Sequence, residues 1–100
     1  MEAQPTHAAS LTLRQFQQHI REKYYATDVA RGTPMTWLWF SEEVGELARA
    51  LARRTDAQNL EEEFADVVAW LCTLANINDV DLAAAVERKY LKDGGPTGAK

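Results

Sequence analysis

Glu42, Glu43 and Glu46 fall within five positions, and Glu63 and Asp66 follow with the same spacing as Glu43 and Glu46. Carboxylates three positions apart lie on one side of a helix. Two such pairs on facing helices would turn four carboxylates toward one cleft. A half-buried cluster of that kind raises its own pKa values unless a cation neutralises it. Oxygen-only ligation selects hard Mg²⁺ or Mn²⁺ and not zinc. A di-iron bundle would want Glu-x-x-His pairs, and neither His7 nor His19 lies in one. Mg²⁺ usually shares its shell with substrate phosphates, so the cluster points to a phosphate-bearing ligand. The plainer alternative is a solvated acidic face, which the repeat of the pair makes less economical.

The elements that must hold these acids are helices. Sliding 40–51 forward by twenty positions puts Phe40, Val44, Leu47 and Leu51 on Leu60, Phe64, Val67 and Leu71, which reads as the core stripe of each helix. Glu43 and Glu63 then lie roughly 60° from the stripe, and Glu46 and Asp66 roughly 120° to the same side, bordering the core. Glu42 and Glu62 point nearly opposite the stripe and should face solvent. Gly45, in the middle of strong helix formers, suggests the close approach of another helix or a ligand.

Along the chain, Thr12 with Gln15 can cap a first helix carrying Leu13, Phe16, Ile20 and Tyr24, which should fade before "RGTP". Thr33 followed by Pro34 signals a second helix reaching about Arg53. Asn59 with Glu62 signals a third, and Asn78, Asp79 or Asp81 can cap a short fourth with Leu82, Val86 and Tyr90 inward. No alternating pattern predicts a strand. The expected class is all-α, a four-helix bundle-like arrangement spanning 12–92, between flexible tails at 1–11 and 93–100.

Composition narrows the function. A net charge of -4 argues against a nucleic-acid partner, and eight of the fifteen carboxylates fall between positions 41 and 66 against three arginines. Cys72 is the lone cysteine, so no intrachain disulfide can form, which fits a reducing cytoplasmic setting. No apolar run approaches the roughly 18 residues of a membrane span, so no membrane partner is expected. At 100 residues the core is modest and self-association is expected.

The segment "EEVGEL", Glu42 to Leu47, with Glu63-Phe64-Ala65-Asp66 following Glu46 after a gap of sixteen residues, resembles the E-E-x-x-E and E-x-x-D signature of the MazG-type nucleotide pyrophosphohydrolases, an all-α NTP pyrophosphatase group. The resemblance covers roughly 12–91. It implies hydrolysis of a nucleoside triphosphate to the monophosphate and pyrophosphate, with a role in nucleotide-pool cleaning or in adjusting a signalling nucleotide. It also implies Mg²⁺, with Mn²⁺ as substitute, at Glu43, Glu46, Glu63 and Asp66. Assembly as a homodimer or homotetramer is implied as well, with sites at or near a subunit interface.

Substrate contacts follow less directly. The group grips phosphates with basic residues near the fourth helix, where Arg88, Lys89 and Lys92 are the candidates. The usual asparagine and "KYP"-like end are absent from "AAVERKYLKD". Trp39 and Trp70 share the acids' sector and could stack on a base, with core or interface packing as the alternative. His19 and Tyr24 could line the same cleft, although His19 equally suits a plain packed or surface position. Arg49, Arg53 and Arg54 suit the C-terminal end of a helix without a further role. Two other readings stand beside the enzyme: a catalytically silent nucleotide or metal binder, and an oligomerising helical scaffold with a solvated acidic face.

Overall fold

The computed structural model of the protein describes residues 7–98. Four helices follow one another as α1 (Leu13–Arg31), α2 (Thr33–Arg53), α3 (Ala57–Ile77) and α4 (Leu82–Val86). A π-helical turn, Glu87–Leu91, prolongs α4, and short 3-10 turns occupy Ala8–Ser10 and Lys92–Gly94. The fold is all-α, as expected. Positions 1–6, 99 and 100 of the two expected tails lie outside the described residues.

Local signals set most helix ends. The Thr12 hydroxyl accepts from the Gln15 backbone N–H at 3.0 Å while the Gln15 side chain accepts from the Thr12 N–H at 2.8 Å, a complete capping box. At two helix starts the cap is not the residue that signalled the helix in the sequence. Gly32 (φ 82°, ψ 167°) precedes α2 in place of Thr33, because a single left-handed residue turns the chain between the two helices. The Thr33 hydroxyl instead accepts from Asn78 Nδ2 at 3.2 Å, tying the start of α2 to the end of α3. Asp56 caps α3 in place of Asn59, its carboxylate accepting from the Asn59 N–H at 3.1 Å. Asp81 caps α4 in the same manner. The first helix ends at Arg31, within one residue of the end expected before "RGTP", and the Gly32 N–H closes it by donating to the Asp28 carbonyl.

Helix α3 packs on α2 along one side and on α1 along another, while α4 rests on α1. The α1 contact is unusually polar. The Gln17 side chain donates from Nε2 to Asn76 Oδ1 at 3.0 Å and to the Val80 carbonyl at 2.7 Å, and its Oε1 accepts from the Leu82 N–H at 3.0 Å. One buried amide thus joins α1, the end of α3 and the start of α4, with every hydrogen bond directional and therefore register-setting.

The expected core stripe is not the interior of this chain. Val44, Phe64 and Leu71 are 41%, 49% and 42% exposed, and Phe40, Leu47, Leu51, Leu60 and Val67 are only half-buried. The buried apolar residues are Ile20, Ala50, Cys72 and Ala75. Helix α1 covers the side of α3 that carries Cys72, Thr73, Ala75 and Asn76, and no described element covers the stripe. Val86, expected inward, is also exposed, whereas Leu82 and Tyr90 are half-buried. Among the described residues no single helix is long and apolar enough to cross a membrane; α3 and Leu82–Gly94 reach that character only as a pair bent by 100°.

Candidate functional site

Helices α2 and α3 run antiparallel across the turn 54–56, so residues ascending one helix meet residues descending the other. Trp39 meets Trp70, Glu43 and Glu46 meet Asp66 and Glu63, and Arg53 lies opposite Asp56 and Asn59. One carboxylate oxygen each from Glu43, Glu63 and Asp66 lies within 4.8 Å of the other two. Glu46 stands beside this group and outside it. Its negative charge nevertheless acts on both Glu43 and Glu63.

The electrostatics follow from the crowding. Burial, then the charges of Glu46 and Asp66, push the Glu43 carboxyl up to about 7. Burial and the neighbouring carboxylates raise Glu63 as well. Glu43 Oε2 is buried and has no hydrogen-bond partner among the described residues. A buried carboxylate oxygen without a donor, inside a ring of like charges, is a costly arrangement that a cation would relieve. The donors are all oxygen, which suits a hard divalent ion. Glu42 and Glu62 are exposed, as their angular positions require, and Glu62 only accepts from Gln58 at 3.3 Å.

Beyond Asp66 the groove opens into a cavity of about 390 Å³ lined by Tyr24, Asp28, Arg31, Trp39, Asp66 and Trp70, among others. The two indoles meet edge to face with ring centroids 5.5 Å apart. Arg31 spreads over both, 5.2 Å from the Trp39 ring and 4.9 Å from that of Trp70. Its guanidinium is held by a buried ion pair with Asp28 and donates from Nε to the Thr36 hydroxyl at 3.0 Å. Thr73 on α3 donates to the other oxygen of Asp28 at 3.1 Å. Asp28, Thr36 and Thr73 are all buried, so three helices converge on this polar knot. The last turn of α1 carries both partners of the pair.

Sequence reasoning missed Asp28, Arg31, Thr36 and Thr73. The available signal was the i,i+3 spacing of Asp28 and Arg31 just before a helix break. Trp39 and Trp70 come together beside the acids, and Tyr24 reaches the same cavity. His19 does not: it is exposed on α1 and stacks on Phe16 at 6.5 Å. Arg88, Lys89 and Lys92 are exposed near the end of the chain, away from the groove, with Arg88 bordering a shallow cavity beside Asp81 and Ala84. Within this chain they do not meet the acids, because α4 packs on α1. A methyl added at Gly45 would meet nothing within 4 Å, so no described residue makes the close approach expected there.

The protein is thus all-α, with a carboxylate cluster between two antiparallel helices and an aromatic cavity beside it. The model of the MazG nucleotide pyrophosphohydrolase domain matches residues 33–92, and the chain belongs to that family. The match begins at Thr33, so Tyr24, Asp28 and Arg31, which α1 brings to the cavity, lie outside it. No curated protein matches this chain.

Proposed function

We propose that this protein is a Mg²⁺-dependent pyrophosphohydrolase that converts a (d)NTP to the (d)NMP and pyrophosphate, in nucleotide-pool cleaning or in adjusting a signalling nucleotide. The observation that carries the reading is the convergence of Glu43, Glu63 and Asp66 within 4.8 Å, with one buried oxygen of Glu43 unpartnered. These three, with Glu46 alongside, would hold Mg²⁺, or Mn²⁺ in its place. The bound ion would offset phosphate charge and lower the pKa of a water.

The residues divide the remaining work. The water oxygen forms a bond to the α-phosphorus, and the bond from that phosphorus to the α,β-bridging oxygen breaks. The bridging oxygen leaves with the electron pair as part of pyrophosphate. Glu46, outside the tight group of three, is the carboxylate we assign to take the water's proton. Trp39 and Trp70 flank a cavity of suitable chemistry for a nucleobase, with the Arg31–Asp28 pair fixing the indoles.

The exposed stripe supports a homodimer or a dimer of dimers. Trp37, Leu38, Val44, Phe64, Val68 and Leu71 are more exposed than apolar side chains of that size ordinarily are together on one monomer. A second copy burying this face would complete the core and could bring its own basic fourth-helix residues, Arg88, Lys89 and Lys92, to the groove. A cytoplasmic setting suits the lone buried thiol of Cys72.

Pyrophosphate release from a panel of NTPs and dNTPs, with Mg²⁺ or Mn²⁺, tests the reading when the wild type is compared with Asp66→Ala. Metal-dependent release lost in the variant supports hydrolysis. Metal binding without release from any nucleotide would replace the enzyme by a silent binder, and absence of both would leave a scaffold with a solvated face.

A further inference from the structure

The α2–α3 groove has a second cavity, on the side of the acids opposite the tryptophans. It measures about 300 Å³ and is lined by Glu46, Glu63, Arg49, Arg53, Thr55 and Asn59, together with Ala50 and Asp56. Because the helices are antiparallel, the groove reads in one direction from either helix. Along α2 the order is Trp39, then Glu43 and Glu46, then Arg49 and Arg53. Along α3 it is Trp70, then Asp66 and Glu63, then Asn59. Asp66 lines the aromatic cavity and Glu46 and Glu63 line the one that holds the two arginines, so these carboxylates stand between the two.

The two arginines have no settled partner. The ion pairs among the described residues are Arg14 with Asp81 and Arg31 with Asp28, and Arg49 and Arg53 enter neither. A guanidinium presents a fork of donors that matches phosphate oxygens bidentately. Thr55 and Asn59 add a hydroxyl and an amide that can donate to the same oxygens. From Trp39 to Arg49 the helix rises roughly 15 Å, a span of the order of an extended nucleoside triphosphate.

We infer that the cavity holding Arg49, Arg53, Thr55 and Asn59 is the subsite for the β- and γ-phosphates, so that a nucleotide lies along the groove with its base at Trp39 and Trp70 and its leaving pyrophosphate toward the α2–α3 turn. This rests on the hydrolase reading for the direction of the reaction, but the binding it describes does not require turnover. The placement gives each chemical part of the substrate a matching stretch of groove: aromatic for the base, acidic for the metal and α-phosphate, and two guanidiniums with a hydroxyl and an amide for the departing anion. It also assigns a role to two arginines that the helix dipole alone would account for.

The test is calorimetric titration of inorganic pyrophosphate, at fixed Mg²⁺, into the wild type, Arg49→Gln, Arg53→Gln, the double variant and Arg49→Lys. Nucleoside monophosphate and Mg²⁺ alone are titrated in parallel, and far-UV circular dichroism monitors the fold. Loss of a charged hydrogen-bonding group predicts about a tenfold to hundredfold weakening of pyrophosphate per arginine. Monophosphate and Mg²⁺ affinities should hold, and lysine should recover part of the loss. Pyrophosphate binding that is absent from the wild type, unchanged in the folded double variant, or weakened no more than monophosphate binding overturns the subsite. Turnover with unchanged KM in the double variant would remove the subsite and leave the hydrolase. Arginine-dependent pyrophosphate binding with no turnover of any nucleotide would remove the hydrolase and leave the subsite.

Discussion

Trp39 meets Trp70 edge to face at 5.5 Å, and the pair is roofed by Arg31, a residue from a third helix that is itself gripped by buried Asp28. The geometry of the aromatic cavity therefore depends on an ion pair at the end of α1. Breaking a buried pair by neutralising one partner leaves the other charge uncompensated, at a cost of about 3 kcal/mol or more. Asp28→Asn should lose that much stability in urea unfolding and change the tryptophan emission in the folded baseline. A loss below about 1 kcal/mol would mean that water already shares the Arg31 charge.

The acids should separate sharply by position. Asp66→Ala or Glu43→Gln is expected to abolish detectable Mn²⁺ binding and lower turnover by at least about a hundredfold, on the order of 3 kcal/mol. Helicity should be retained, and the metal-free variants should be more stable than the wild type, since a like-charge repulsion has gone. Exposed Glu42 and Glu62 should tolerate alanine with little change. Equal damage from Glu42→Ala and Glu46→Ala in turnover would show that the inward and outward faces are misassigned.

A cation held at the cluster would compete with the proton on Glu43. Its folded carboxyl titrates at about 7 against an ordinary 4.5, so the folded metal-free protein binds a proton more tightly than the unfolded chain does. The associated stability is fully present below pH 4.5, declines as pH rises to about 7, and is flat above. The difference in Tm between the wild type and Glu43→Gln, without metal, should follow that course. Mg²⁺ affinity should climb through the same window. A wild-type advantage that grows with pH between 5 and 7 would contradict a raised carboxyl.

The exposed stripe predicts the assembly. Val44→Glu or Leu71→Glu places a charge where a second copy would bury an apolar side chain worth about 1.5–3 kcal/mol. Dissociation should then begin at concentrations at least about tenfold higher than for the wild type. Light scattering across a dilution series reads this directly. A wild type that is monomeric at micromolar concentration would refute the assembly.

Much of the chemistry was legible in the residues themselves. The spacing of Glu43 with Glu46 and of Glu63 with Asp66 encodes a face, because a helix repeats at 3.6 residues whatever surrounds it. The capping box at Thr12 and the end near Arg53 were readable for the same reason, being interactions within a few positions. Caps at Gly32 and Asp56 were missed by a few residues, since several neighbouring side chains can serve and the turn geometry chooses among them.

Tertiary structure decided the rest. The apolar stripe reads identically in sequence whether the chain covers it or a second copy does, and only the position of α1 on the other side of α3 shows that it is uncovered here. Asp28 and Thr73 share a hydrogen bond across forty-five positions, which no local periodicity can announce. Arg49 and Arg53 read as ordinary helix-end charges until the antiparallel register sets them beside Glu46 and Glu63. Residue type and local spacing determined which groups could do chemistry; the packing of α1 and α2 against α3 determined which of them meet, because a side chain's neighbours across helices depend on register and not on its own sequence context.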